Sequence, residues 1–394
     1  MSVTDVEALR QGVEKIAPVL RENASLGDRE CRLPDASVQA MREVGLYRMW
    51  VPRSLGGYEI DPVSAFDLIE EIARVDAAAA WNLYMSVSPS IFTMWLPEEG
   101  AREMFADPGA RLAGTLFPPL TAVPADGGYR VSGRAPFVSA CHAAEWMGFA
   151  AIVTDDGAPR TTEEGEPVEV LVFVSRADGR ILDNWDVLGM RGTGSHDVVL
   201  DDVLVPERRA ALLMPFGETP PGPAFQGPLY RMVFWQTAGV MAAVAVGIAR
   251  AAISELVDLA AVKTPAFTGI PLRERPQAQI AIGRADGLRC AARAYLREVL
   301  AEGYSACEAG RPFDTDHRRS IQLAATHGVE AAATAVRLVH EAAGTSAIRN
   351  SRPFAAHFRD VHTITQHAFV SANRYQSVGQ LMLGVPPEWP LFAF

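Results

Sequence analysis

The stretch Trp185-Asp186-Val187-Leu188-Gly189-Met190-Arg191-Gly192-Thr193-Gly194-Ser195-His196-Asp197-Val198-Val199-Leu200, running on to Val205-Pro206-Glu207, changes character half-way along. Gly189, Gly192 and Gly194 crowd its first half, which predicts a tight turn needing positive φ. The second half is a β-branched run that Pro206 stops. A Trp, a Met, an Arg and two hydroxyl side chains therefore stand beside a turn that feeds a strand. Two readings fit these residues: the wall of a planar, partly charged ligand, and an ordinary turn plugged by an aromatic ring.

On the N-terminal side of this stretch, residues 1–110 read as helical. Met1-Ser2-Val3-Thr4-Asp5-Val6-Glu7 is a capping box that opens a helix rather than a leader peptide. Asp35 and Ser37 follow Pro34 and start a helix that Gly45 ends, and Asp61-Pro62 is an N-cap with proline at the first helical position. Residues 111–212 hold short β-type runs: Tyr129 to Gly133 after the turn Asp126-Gly127-Gly128, then 146–153, 168–174 and 197–205. Their spacing suits an antiparallel sandwich or barrel, and no GxGxxG follows a strand, so a Rossmann site is not supported. Residues 213–228, with Pro215, Pro220, Pro221, Pro223 and Pro228, read as a linker. Residues 229–394 then carry four helical stretches, near 229–262, 274–308, 315–343 and 360–383, which make a bundle. The predicted class is α+β: an N-terminal helical domain, a central β domain and a C-terminal four-helix bundle.

The chain's 394 residues are enough for two or three units of about 150 residues each. A net charge of −11 argues against a nucleic-acid surface, which needs clustered Lys and Arg. Cys31, Cys141, Cys290 and Cys307 form no CxxC and no metal-ligand spacing with histidine, so they read as reduced thiols of a cytoplasmic protein with no metal site. The uncharged run 232–249 approaches the length of a membrane span. It contains Gln236 and Thr237 and is rich in Ala and Gly, so a helix buried inside the bundle is the reading adopted, with no membrane expected.

Helices, then strands, then a four-helix bundle is an unusual order, and with it the chain resembles the acyl-CoA dehydrogenase superfamily over nearly its whole length. Four stretches carry the resemblance: Arg74-Val75-Asp76 to Trp81-Asn82; Gly127 to Gly133 continuing through Phe137-Val138-Ser139 to Trp146; Trp185 to Ser195; and Phe358-Arg359-Asp360-Val361-His362-Thr363 with Gln366-His367. The branch it looks most like is the two-component flavin-dependent monooxygenases, which hydroxylate aromatic, steroid-derived or sulfur-heterocyclic compounds.

Departures from the dehydrogenase pattern separate the branches. Acyl-CoA dehydrogenases need a glutamate to take a proton alpha to a thioester carbonyl. At the superfamily's two locations for it, this chain reads Ala343-Gly344-Thr345-Ser346-Ala347-Ile348-Arg349-Asn350 and Leu229-Tyr230-Arg231-Met232, without a carboxylate. The flavin loop of the first strand reads Gly114-Thr115-Leu116-Phe117-Pro118 in place of a Thr-Glu-Pro type. The resemblance therefore implies a monooxygenase that uses reduced flavin (FMNH2 or FADH2) and O2, through a flavin C4a-hydroperoxide, on a hydrophobic, aromatic or polyketide-like molecule. It implies a separate NAD(P)H-dependent flavin reductase and a homotetramer. The alternatives are an acyl-CoA dehydrogenase with a relocated base and a non-catalytic flavin-binding subunit.

The same resemblance assigns the catalytic roles to His367 and Ser139, and places Leu116, Phe137, Val138, Ser139, Trp185, Lys263, Gly344 and Thr345 against the flavin. His367 titrates near neutrality as a free imidazole and suits proton transfer. With His362 five positions earlier on one helix, only one of the pair would face the flavin. Lys263 occupies the place of a base that reaches a neighbouring subunit's flavin phosphate, and Gly344-Thr345 that of a glycine-rich turn. Each also has a plain structural reading: a packed histidine, a strand serine, a core tryptophan, a solvated lysine and a helix C-cap. His142, close to Ser139 in sequence, is a further histidine for the pocket, and Met85, Phe92 and Met94 would give it an apolar wall.

Overall fold

The computed structural model describes residues 3–214 and 219–393. Met1 and Ser2 of the expected capping box, and residues 215–218 of the expected linker, lie outside the described residues. The first helices are α1 (Val3–Glu30), α2 (Asp35–Glu43), α3 (Pro62–Ala73), α4 (Ala77–Val87) and α5 (Glu98–Met104). Asp61 caps α3 as its sequence predicts, its Oδ1 accepting from the Ser64 N–H at 2.9 Å. Asp76 caps α4 the same way, accepting from Ala78 and Ala79.

The strands are β1 (Leu112–Ala125), β2 (Gly128–Val138), β3 (Trp146–Asp155), β4 (Ala158–Pro159), β5 (Glu169–Ser175), β6 (Arg180–Leu182), β7 (His196–Pro206) and β8 (Ala210–Met214). They form one sheet in the order β6-β7-β2-β1-β3-β5-β8, with β4 on β3. The expected antiparallel pattern holds for most pairs but not for β1 and β3, which run parallel. The hairpin at Asp126-Gly127 returns β2 along one edge of β1. The segment after β2 then crosses over, so β3 enters along the other edge in the direction of β1. β1 escapes hydrophobic periodicity because Gly114, Pro118, Pro119 and Pro124 interrupt it, and its register shifts between Thr115 and Leu120.

Side chains alternate across this sheet; β3 and β5 are buried on both faces, whereas β1, β2 and β7 leave part of one face exposed. Val170, Val172 and Val174 join Val198 and Leu200 in the sheet's own core, while Leu171 and Phe173 face the helices. That explains why β3 and β5 read as nearly continuous apolar runs.

Beyond Pro228 come α6 (Pro228–Arg231), α7 (Trp235–Val262), α8 (Pro276–Glu308), α9 (Thr315–Ala343), α10 (Phe354–Ile364) and α11 (Arg374–Met382). The fourth expected stretch is thus two short helices. Thr363 Oγ1 donates to the Arg359 carbonyl and Thr365 Oγ1 to that of His362, and side-chain bonds of this kind compete with continuation of the helix. Among the described helices, α7 alone has the length and composition of a membrane span, and 78% of its most apolar window is buried within the fold. It packs on α3, α8 and α9 at the centre of one core that reaches from Leu9 to Phe392. At the α3–α8 contact Glu70, 1% exposed, meets Arg293 at 2.6 Å.

The glycines of the opening stretch differ in their roles. Gly194 has φ +54°, but the other left-handed residue of the turn is Met190, at φ +55°. Gly189 and Gly192 are there for close approach. A Cβ on Gly189 would collide with the Arg359 carbonyl, and one on Gly192 would lie 2.9 Å from Ala78 Cβ. The turn is pressed between α4 and α10.

Candidate active site

A cavity of about 550 Å³ lies where α4, α7, the sheet and the 363–369 segment meet. Its wall is mostly apolar and aromatic, and among the described residues lining it there is no Asp, Glu, Lys or Arg. Met85 and Phe92 line it as expected. Met94 does not; it is 1% exposed and packs in the helical core.

Ser139 follows β2 where the strand kinks, between Phe137 and Ala140 at φ +59° and +62°. The Ala140 N–H donates to the Thr193 carbonyl at 3.1 Å, which ties this kink to the opening turn. Asn82 on α4 donates to the Gly192 carbonyl and ties the same turn to that helix. The result is a buried hydroxyl row on the cavity wall. Trp81 Nε1 donates to Ser139 Oγ at 3.2 Å. Ser139 Oγ lies 2.7 Å from Ser195 Oγ, and Ser195 Oγ lies 2.7 Å from Thr193 Oγ1. Thr193 Oγ1 donates to the Met190 carbonyl at 2.7 Å.

His367 reaches the same cavity, though not from a helix face. It stands in the turn after α10, and its ring meets Trp81 edge-on at 5.4 Å between centroids. His362 stays on α10, its ring tilted 32° against Phe358 at 4.1 Å between centroids and bonded to the Phe358 carbonyl. Only one of the two histidines therefore enters the pocket, because the chain leaves the helix between them. Burial among aromatic rings pushes His367 down to about 4, so the imidazole is neutral at physiological pH. This corrects the expectation of titration near neutrality. Its Nδ1 accepts from the Phe369 N–H at 3.3 Å, which places the proton on Nε2 and leaves an N–H donor.

Trp185 lines the cavity with Phe137, whose ring it meets edge-on at 6.0 Å. Its indole N–H donates to the Met190 carbonyl at 3.1 Å. Leu116 also lines the cavity. Val138 points the other way, into the sheet core. Lys263, Gly344 and Thr345 are not on this cavity. Lys263 Nζ donates to the Ala343 carbonyl at 2.8 Å and to Ser346 Oγ at 2.9 Å, so it sits beside Gly344-Thr345 at the end of α9.

His142 leaves the cavity for a neighbouring cleft with His196 and Asp183, its Nε2 3.1 Å from Asp183 Oδ1. The three side chains are spaced as metal ligands could be. Both nitrogens of His196 are occupied, however: Nδ1 accepts from the Trp185 N–H at 3.0 Å, so Nε2 carries the proton that goes to the Cys31 carbonyl at 3.1 Å. Metal binding at Nε2 would require giving up both bonds.

By sequence alone, Thr193 and Ser195 have only a general place on a ligand wall, neither is named as a catalytic or flavin-binding residue, and Trp81 has no site role. All three stand inside quoted motifs; the Thr193 contacts to Met190 and Ser195 are local, but the bonds that bring Trp81 and Ser195 to Ser139 span 58 and 56 positions and no local pattern discloses them. Tyr84 was also missed; its hydroxyl donates to the Thr237 carbonyl at 3.0 Å and burial raises it further out of the titrating range.

Known proteins resemble this chain in sequence and fold. The acyl-CoA dehydrogenase N-terminal domain matches residues 4–104, and the acyl-CoA dehydrogenase C-terminal domain matches residues 239–372. The chain is 32% identical to an indole-3-acetate monooxygenase of Pseudomonas putida, over 97% of this chain and 94% of that protein. It is 28% identical to HsaA of Rhodococcus jostii, the oxygenase subunit of a flavin-dependent monooxygenase, over 95% and 98% of the two chains. Its fold is similar to that of XiaF from Streptomyces sp., solved with FADH2 and glycerol, with a TM-score of 0.89 at 26% identity over 98% and 97% of the two chains.

Proposed function

The chain belongs to the acyl-CoA dehydrogenase family, and from that membership we propose that it is the oxygenase component of a two-component, reduced-flavin-dependent monooxygenase. The observation that carries the choice within the family is the cavity: Ser139 and His367 both open onto it, and no carboxylate lines it among the described residues. An acyl thioester α-proton would find no carboxylate base there.

The residues present fit a reduced flavin ring. Trp185 and Phe137 offer aromatic surface at the cavity, Ser139 offers a hydroxyl oxygen, and no fixed charge on the wall opposes an uncharged ring system. Reduced flavin, when bound, supplies the two electrons that activate O2; one oxygen atom goes to the substrate and the other leaves as water. The chain's own part is to hold, orient and exclude. Met85, Phe92 and Phe369 shed water from a hydrophobic, aromatic substrate. The neutral His367 keeps an Nε2–H on the cavity wall, and such a donor would stabilise negative charge developing on an oxygen of a bound molecule.

The partners that accompany this reading are a separate NAD(P)H-dependent flavin reductase and three further copies of this chain. Exposed Val262, Phe267, Ile270 and Ile280 support an assembly through the bundle. Lys263 and Gly344-Thr345, away from the cavity of their own chain, suit contact with a flavin held by a neighbouring copy. The units 1–110, 111–212, 213–228 and 229–394 and a cytoplasmic location belong to the same proposal; Cys290, exposed and unpaired, agrees with a reducing compartment.

The test is to supply anaerobically reduced FMN or FAD, then O2, with a panel of hydrophobic aromatic compounds. A product heavier by one oxygen atom is expected. Absence of any such product, with acyl-CoA bleaching the bound oxidised flavin, would return the chain to dehydrogenase chemistry; failure to bind flavin would leave a non-catalytic subunit.

A further inference from the structure

The hydroxyl row beside the cavity has only one consistent proton direction. The Met190 carbonyl can only accept, so the Thr193 hydroxyl, 2.7 Å away, must donate to it. With that proton committed, Thr193 Oγ1 can only accept from Ser195, and Ser195 Oγ in turn only from Ser139. At the other end, an indole N–H is a donor and nothing else, so Trp81 donates to Ser139 Oγ. Every proton runs from Trp81 toward Met190. Ser139, Ser195 and Thr193 are 4%, 4% and 1% exposed, so water offers little competition for these protons. Ser139 therefore turns a lone pair, and no proton, to the cavity.

We infer that Ser195 and Thr193 are positioning residues that fix Ser139 as a hydrogen-bond acceptor, and that this polarity makes the site select the reduced over the oxidised state of the flavin. The inference rests on the flavin reading above. Were N5 of the bound ring to meet Ser139, the N5–H of a reduced isoalloxazine would donate to it, whereas the lone pair at N5 of the oxidised ring would set acceptor against acceptor. The opposite polarity, Ser139 donating, would favour the oxidised ring. The end of the relay is firmly held: the Met190 carbonyl also receives the Trp185 indole N–H and the Thr193 N–H, and the Met190 N–H is anchored on Asp360.

The experiment is anaerobic titration of the full chain with oxidised FMN and with reduced FMN, read as two dissociation constants and their ratio. The unaltered chain is expected to bind reduced FMN more tightly. Ser195→Ala removes the acceptor of the Ser139 proton and should shrink the ratio roughly tenfold, chiefly by tighter binding of oxidised FMN. A tenfold change corresponds to about 30 mV in the two-electron midpoint potential of the bound flavin, which spectroelectrochemistry reads independently. Thr193→Val should act in the same direction, since Ser195 then keeps its proton for Ser139. Thr193→Ser restores the hydroxyl and should restore the ratio. The two variants guard against one failing to fold, which circular dichroism reports. Ratios and potentials unchanged in the folded variants overturn the relay while leaving the flavin reading intact. An unaltered chain that binds neither state overturns the flavin reading and the relay with it.

Discussion

The Met190 N–H donates to Asp360 Oδ1 at 2.6 Å, joining the turn of the β region to helix α10 across 170 positions of sequence. Desolvation pushes the Asp360 carboxyl up to about 7, with the neighbouring Asp28 and Asp76 charges adding to the rise. An acid whose folded value lies above its unfolded value of 3.8 stabilises the fold in its protonated form. That contribution is complete below 3.8 and is lost as pH rises through about 7. Asp76, raised to about 6, acts in the same direction, whereas His357 and His367, held down near 4, favour the fold as pH rises toward their unfolded value. Asp360→Asn keeps an oxygen for the Met190 N–H but does not titrate. Urea unfolding from pH 5 to 8 should show the unaltered chain losing stability relative to Asp360→Asn, with a slope of at most about 1.4 kcal/mol per pH unit. Parallel curves would contradict the assignment.

His367 should behave as a neutral donor. With its imidazole held near 4, product formation should show no His367 inflection between pH 6 and 7. His367→Ala should lower the rate by roughly 10²–10³, and His367→Asn, which keeps an N–H donor, should recover part of it. Single-turnover product yield across pH is the measurement. A limb near pH 6.5 that vanishes in His367→Asn would show instead that the imidazole titrates.

Two glycines should respond differently to a methyl group. Gly189→Ala drives its Cβ into the Arg359 carbonyl, which is backbone and cannot rotate away. A loss of about 2–3 kcal/mol is expected, with the turn displaced from α10. Gly344→Ala meets no atom within 4 Å, but φ +57° with ψ −136° is a region essentially reserved for glycine and charges about 1–3 kcal/mol of conformational strain. Chemical denaturation ranks the two, and flavin binding should suffer more in the first.

Glu70 clamps α3 to α8 from a fully enclosed position. It meets Arg293 at 2.6 Å, with Arg289 and Arg250 near 4 Å. Glu70→Ala should destabilise the chain by about 2–3 kcal/mol, less than for a wholly buried pair because the Arg293 side chain is 34% exposed. Equilibrium unfolding that leaves the midpoint unmoved would mean solvent already satisfies these arginines.

Much of the fold is legible locally. Asp61-Pro62 and the β-branched runs announce their elements through hydrogen-bond and steric rules that act over a few residues. Where those rules stop, expectation and structure part. The stretch 360–383 has helical composition, yet Thr363 and Thr365 bond backward and free His367 from the helix. Gly189 looks like a conformational glycine but is a packing glycine, because the atoms that forbid a side chain belong to Arg359. Met94 reads as pocket lining and lies in the core.

By itself, the sequence determined the order of segments, the family resemblance and the missing carboxylates, since these reside in residue identity and short-range spacing. Only tertiary structure decided which groups face the cavity and which way their protons point. Trp81, Ser139, Ser195 and His367 come from four separate stretches of the chain and acquire donor or acceptor character from partners that folding delivers. A hydroxyl's polarity is set by its last available acceptor, here the Met190 carbonyl three residues before Thr193; that contact is local, but the bonds that carry its polarity on to Ser139 and Trp81 span 56 and 58 positions and no spacing rule encodes them.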